Sequence, residues 1–213
     1  MDVAGHRELW ELGYEHTDPS LGNIMVNSKG RGVLNDWDLC YVRDRIPQAK
    51  HHRERTGTIP FTALELLTDE YWNGEIKHLY RHDLEAFIWI LPWVFLQYEG
   101  RKLSKKPVFE CWSSSDYIAV GAFKMRYLYA SRHNDKPMEC WKEEWQFARR
   151  LLAWLRRTET ARVESADSVD PFIQQPVKDA PVEEATYDDF RRQVEEAAKI
   201  YSPLHSMLQA FSN

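Results

Sequence analysis

Apolar positions along this chain change their spacing several times, and each change marks an element. Residues 6–15, HRELWELGYE, set Leu9, Trp10 and Leu12 at helical steps and predict a short helix ending near Gly13. Two short apolar runs follow, NIMVN at 23–27 and GVLND at 32–36, with SKGRG between them, and they predict a β-hairpin. Over residues 39–62 the pattern dissolves into polar and basic side chains, and a stretch of that length without periodicity is usually functional. FTALELL (61–67) predicts a short helix. The next helix, 80–99, is apolar on nearly every face, so it is expected to be buried, with Pro92 kinking or breaking it. Amphipathic helices are predicted over 116–132 and 139–158; in the second, Trp141, Trp145, Ala148, Leu152 and Leu155 form a core stripe, and Arg149-Arg150 and Arg156-Arg157 a solvated edge. Residues 159–185 carry prolines and many acids and read as a linker or surface excursion. A last helix is predicted from 186 towards the end at 213, with Thr186 as N-cap, Asp188 and Asp189 in its first turn and Pro203 breaking it. The expected fold class is mainly α with a small β-hairpin, the main unit spanning 1–158.

Composition narrows the class. With 213 residues, 43% of them apolar, and nine tryptophans, the chain has the means to bury a core. A net charge of −5 points to neither nucleic acid nor an anionic membrane as partner. Cys40, Cys111 and Cys140 are far apart and odd in number, which fits no disulfide framework or zinc spacing and suits a reducing, intracellular compartment, cytoplasmic or nuclear. The longest uncharged apolar run, 86–98, is too short for a bilayer, which needs roughly 20 residues. His78 and His82 stand four apart on one helical face without an evident third ligand, so they are expected to be surface or structural. The basic run at 50–55 is expected to be a solvated loop.

The candidate chemistry lies in EHTDPSLGN (15–23) and NDWD (35–38). Taken singly, Asp18, Asn23 and Asp36 are ordinary turn formers. A hairpin brings its two ends together, however, so all three should meet at one mouth. Two carboxylates and an amide oxygen suit a hard divalent cation that keeps several waters, which describes Mg²⁺.

These segments resemble protein-kinase motifs. HTDPSLGN is similar to the catalytic loop, H-R-D with an Asn five residues after the Asp, and NDWD to the metal-binding D-F-G. RTGTIPFTALELL (55–67) resembles the end of an activation segment, here 36–65, with Ala63-Leu64-Glu65 in place of A-P-E, and RHDLEAF (81–87) opens the buried helix with an Asp. Together they resemble the C-terminal lobe of the fungal-type protein kinase family, most closely over residues 6–100. That resemblance implies ATP and Mg²⁺ as cofactors and phosphoryl transfer to protein Ser or Thr. Asp18 would orient the acceptor hydroxyl and take its proton; Asn23 and Asp36 would hold the metal; Ser20, Asn23 and Asp36 would be the nucleotide-side positions. His16, Thr58, Glu65 and Asp83 would be structural supports, with Asp83 anchoring the catalytic loop from below.

Several positions depart from the family pattern. Thr17 replaces the Arg of H-R-D, Ser20 stands where many Ser/Thr kinases carry a Lys, and Asp38 replaces Gly, stiffening the turn or adding a carboxylate near the metal. A Gly-rich loop and its strand Lys are expected upstream of these motifs and are not in the sequence, so the bare chain is expected to be truncated and weak or inactive alone. Two rivals remain: a small-molecule phosphotransferase of the aminoglycoside or choline kinase type, which shares H-x-D-x-x-x-x-N, and a non-catalytic pseudokinase scaffold. The expected partner is a protein substrate or regulator.

Overall fold

The structure is a computed structural model that describes residues 3–29, 31–43, 57–130, 135–167 and 183–200. The basic run at 50–55, the middle of the 36–65 segment and Pro203 lie outside these residues. Six helices are described: α1 (Val3–Glu11), the one-turn α2 (Asp69–Trp72), α3 (Tyr80–Gln97), α4 (Tyr117–Ala130), α5 (Glu144–Asp167) and α6 (Glu183–Ile200). Three two-stranded antiparallel ladders accompany them: β1 (Tyr14–Glu15) with β4 (Tyr41–Val42), β2 (Ile24–Val26) with β3 (Gly32–Leu34), and β5 (Tyr98–Glu99) with β6 (Lys102–Leu103). The molecule is thus mainly helical with small antiparallel sheets.

The centre is α3, which packs against α5 and α6 and against the 3₁₀ turn Ile59–Phe61. Its sequence explains the placement: a helix apolar all round finds its minimum only when enclosed. Pro92 does not end it. The helix continues to Gln97 with Pro92 buried inside, because packing on most faces outweighs one lost backbone hydrogen bond. Beside α3, Phe109 and Trp112 stack at 4.1 Å and Trp89 meets Trp112 edge-on at 5.4 Å.

Two expectations at the C-terminal end need correction. Residues 159–167 are not linker but the last turns of α5, since ETARVESAD contains good helix formers and no proline, and Glu159 pairs with Arg162 one turn on. Helix α6 begins at Glu183, so Thr186 lies inside it rather than capping it. The α5–α6 seam is partly polar. Trp154 Nε1 donates to Asp189 Oδ2 at 2.7 Å, and Arg150 reaches Gln193 Oε1 at 3.2 Å and pairs with Glu196, so Arg150 is an interhelix contact rather than a solvated edge.

The β2–β3 hairpin carries the candidate loop. Its register pairs Ile24 with Leu34 and Val26 with Gly32, and Asn35 N–H donates to Asn23 C=O at 2.7 Å. Asn23 and Asn35 therefore face each other, which sets Asp36 next to the end of the 15–23 loop. The short helix expected at 61–67 is two single 3₁₀ turns, Ile59–Phe61 and Leu64–Leu66.

Candidate functional site

The loop is built on a buried imidazole. His16 Nε2 lies 2.7 Å from Asn35 C=O, and its Nδ1 accepts Asp18 N–H at 3.3 Å, so the neutral ring carries its proton on Nε2. The ring also stands edge-on to Trp37 at 4.7 Å, and Trp37 Nε1 donates to Leu34 C=O at 2.9 Å. One side chain thus ties the start of the loop to both the hairpin and the 3₁₀ turn Trp37–Leu39. The backbone on either side is unusual: Thr17 and Asp36 hold φ of 65° and 66°, left-handed conformations that L-residues adopt at some strain.

Asp18 is the point of convergence. Its Oδ1 accepts Thr58 N–H at 2.8 Å, its Oδ2 accepts Thr58 Oγ1–H at 3.3 Å and Asn23 Nδ2–H at 3.4 Å, and Asn23 Nδ2 also donates to Asp18 C=O at 3.0 Å. A carboxylate has about four lone-pair sites, and these contacts take three. One remains for an incoming hydroxyl. With its amide N–H groups turned to Asp18, Asn23 keeps its side-chain oxygen for another partner, and Asp36 beside it is exposed.

Those two oxygens are the ones the kinase resemblance assigns to a metal. Among the described residues no group of three His, Cys, Asp or Glu side chains comes together to hold an ion, so Asp38 adds no third carboxylate to Asp18 and Asp36. The donor set is one amide oxygen and one carboxylate. That fits a hard cation which fills its remaining positions with water and phosphate oxygens, as Mg²⁺ does, and does not fit a closed protein cage. Ser20, by contrast, is buried, and its carbonyl accepts Asn23 N–H at 3.1 Å. It shapes the loop from beneath, so of the three positions that the resemblance puts on the nucleotide side only Asn23 and Asp36 are accessible.

A second layer of polar groups lies below. Glu65 accepts from Arg81 at 2.5 Å and from His82 Nε2–H at 2.8 Å. Burial works to raise its pKa, but the His82 hydrogen bond and the Arg81 charge prevail and hold it at about 2. Burial dominates at His82 itself and pushes it down to about 4, so at neutral pH the ring is neutral, accepts Leu79 N–H on Nδ1 at 3.0 Å and acts on Glu65 as a hydrogen-bond donor. Asp83 is fully buried, and among the described residues its side-chain hydrogen bonds run to His6 and His78 rather than to the 15–23 loop. Its Oδ2 meets His6 Nε2 at 3.0 Å and its Oδ1 meets His78 Nε2 at 2.7 Å. The link towards the loop runs through His6, whose ring lies 5.9 Å from that of Trp37. Burial opposes ionisation of Asp83, yet the two imidazoles hold its pKa well below the ordinary carboxylate range. His78 and His82 are accordingly buried structural groups.

Sequence reasoning missed His6, Arg81, Glu85 and Lys124. Glu85 accepts Leu64 N–H at 2.7 Å and Trp89 Nε1–H at 2.8 Å, and Lys124 donates to Thr62 C=O. A signal for Lys124 was present, since it interrupts the apolar i, i+4, i+8 stripe Val120, Lys124, Leu128.

No curated protein and no solved structure matches the chain. Residues 2–95, which contain every side chain just placed around Asp18, match the family whose model is described as fungal protein kinase.

Proposed function

We propose that this chain carries the acceptor- and metal-handling half of a protein kinase, which moves the γ-phosphoryl group of ATP to a Ser or Thr hydroxyl of a protein. The observation that carries this reading is the junction at Asp18. One carboxylate is fixed by Thr58 from the segment 57–66 and by Asn23 from its own loop, with an accepting position left over, and Asn23 is next to Asp36. A substrate hydroxyl donating to Asp18 Oδ would be held for in-line attack and would pass its proton to the carboxylate as the new O–P bond forms and the β,γ bridge breaks. Mg²⁺, when bound, supplies charge neutralisation at the β- and γ-phosphates. Asn23 and Asp36 would hold it on the side of the loop next to Asp18. The Thr58 contact favours a protein acceptor over a small molecule, because it makes the peptide-sized segment 57–66 part of the site.

A thermal-shift titration with Mg²⁺ and ATP tests the proposal. At ligand concentrations near 100 Kd, binding contributes about 2.7 kcal/mol, which for a chain of this size raises Tm by several degrees. Asp36→Ala is expected to abolish the rise, with a small drop in the ligand-free Tm because Ala suits the left-handed backbone at 36 less well than Asp. No rise in the wild-type chain, or an equal rise in Asp36→Ala, would remove the metal assignment.

A further inference from the structure

A fully buried lysine has no part in the chemistry proposed above. Lys124 lies on the inner face of α4, its Nζ 4.6 Å from the centre of the Trp89 ring and 5.8 Å from that of Trp112, and it donates to the backbone carbonyl of Thr62. Across from it on α3 is Glu85, whose carboxylate accepts Leu64 N–H. The short stretch 62–64 is therefore gripped on both sides, its carbonyl by an amine and its amide by a carboxylate. An apolar side chain of similar length would fill the same space without the penalty of desolvating an amine. Burial pushes the Lys124 pKa down to about 7, against the pull of Glu85.

A second observation concerns the approach of α4. A Cβ placed on Gly121 would lie 3.2 Å from Leu67 Cβ and 3.3 Å from Leu67 O. Glycine in the middle of a helix is unfavourable, and here it lets the helix backbone come close to the 64–67 turn. Both devices on α4 thus press on one segment. At the other end of that segment, Phe61 N–H donates to Thr58 C=O at 2.8 Å and Thr62 N–H to Ile59 C=O at 3.2 Å, so residues 58–62 are joined in one hydrogen-bonded turn. Thr58 is the residue that meets Asp18.

We infer that Lys124 is a positioning residue for Asp18: by fixing the Thr62 carbonyl, with Gly121 allowing α4 to close in, it holds the 58–62 turn where Thr58 meets the Asp18 carboxylate. Its meaning for catalysis rests on the phosphotransfer reading, but the mechanical coupling does not. Chemically, the coupling makes the outer helix α4 a lever on the acceptor side of the site.

The test uses amide NMR and hydrogen exchange on the whole chain, and no nucleotide. The Thr58 amide proton, donating to a carboxylate, resonates downfield; Asp18→Asn identifies it by removing that shift. In Lys124→Met the Thr58 proton is expected to lose its downfield shift, and the amides of Thr58, Phe61 and Thr62 to exchange at least tenfold faster, while residues 84–96 of α3 keep their protection. Gly121→Ala is expected to do the same with Lys124 intact, and it decides alone if Lys124→Met does not fold. An unchanged Thr58 resonance with unchanged exchange overturns the inference. So does a loss of protection in α3 equal to that at 58–62, because it would make Lys124 a general core support. The Mg²⁺–ATP thermal shift reports separately on the phosphotransfer reading.

Discussion

Thr17 and Asp36 are, among the described residues, the two other than glycine that hold a positive φ; Thr17 sits beside Asp18, and Asp36 is itself a residue of the candidate site. Asp tolerates the left-handed region through its short polar side chain, whereas a β-branched Thr does not. Thr17 is held there because its neighbours are fixed on both sides, His16 on the hairpin and Asp18 on Thr58. Strain of this kind costs on the order of 1–3 kcal/mol. Thr17→Asn, which suits the same backbone, is expected to stabilise the chain by about 0.5–1 kcal/mol. A rise in the urea midpoint at constant m value would report it, and a fall would mean that the Thr side chain makes a contact worth more than the strain.

At the level of elements, the long helices and the β2–β3 hairpin were legible and the other two ladders were not. A long stretch that is apolar nearly all round, as in α3, or a helical period kept over 14 to 24 residues, as in α4 and α5, is a strong signal; strands of two residues, as in β1, β4, β5 and β6, are too short to alternate. The turn at 64–66 looked helical because Leu64, Leu66 and Leu67 are all buried, although it closes only one turn. Within the site, the neighbourhood of Asp18, Asn23 and Asp36 follows from any hairpin between them. The Thr58–Asp18 and His6–Asp83 contacts join residues 40 and 77 apart, and no local pattern encodes such pairs. The α3 register predicts a specific weakness. Trp89→Phe removes the indole N–H from Glu85 and leaves a small void beside Trp112, so it is expected to cost roughly 2–3 kcal/mol in denaturant unfolding. A loss under 0.5 kcal/mol would mean the pocket refills.

The molecule as a whole should be acid-sensitive in two overlapping steps. Burial holds the folded His82 at about 4 against an ordinary 6.5, so between those values the unfolded chain binds the extra proton and stability falls as pH drops, by roughly 3 kcal/mol at the limit. Glu65, held at about 2 against an ordinary 4.5, extends the loss below pH 4.5, because the folded state keeps the carboxylate charged where the unfolded one protonates. Urea midpoints measured from pH 7.5 to 3.5 should decline through this range, and His82→Gln should flatten the upper part alone. An unaltered decline in that variant would assign the sensitivity to another group. None of the described helices is long and apolar enough to cross a membrane. The long reach of the Asp18–Thr58 bond also has a consequence in time. Closing 40 residues of chain is entropically expensive and is rewarded only once α3 offers the 59–61 turn a surface to land on. The contact of the 15–23 loop with Thr58 is therefore expected to form late in folding, after the hairpin and the central helix, so a chain emerging during synthesis would carry its motifs long before they are brought together.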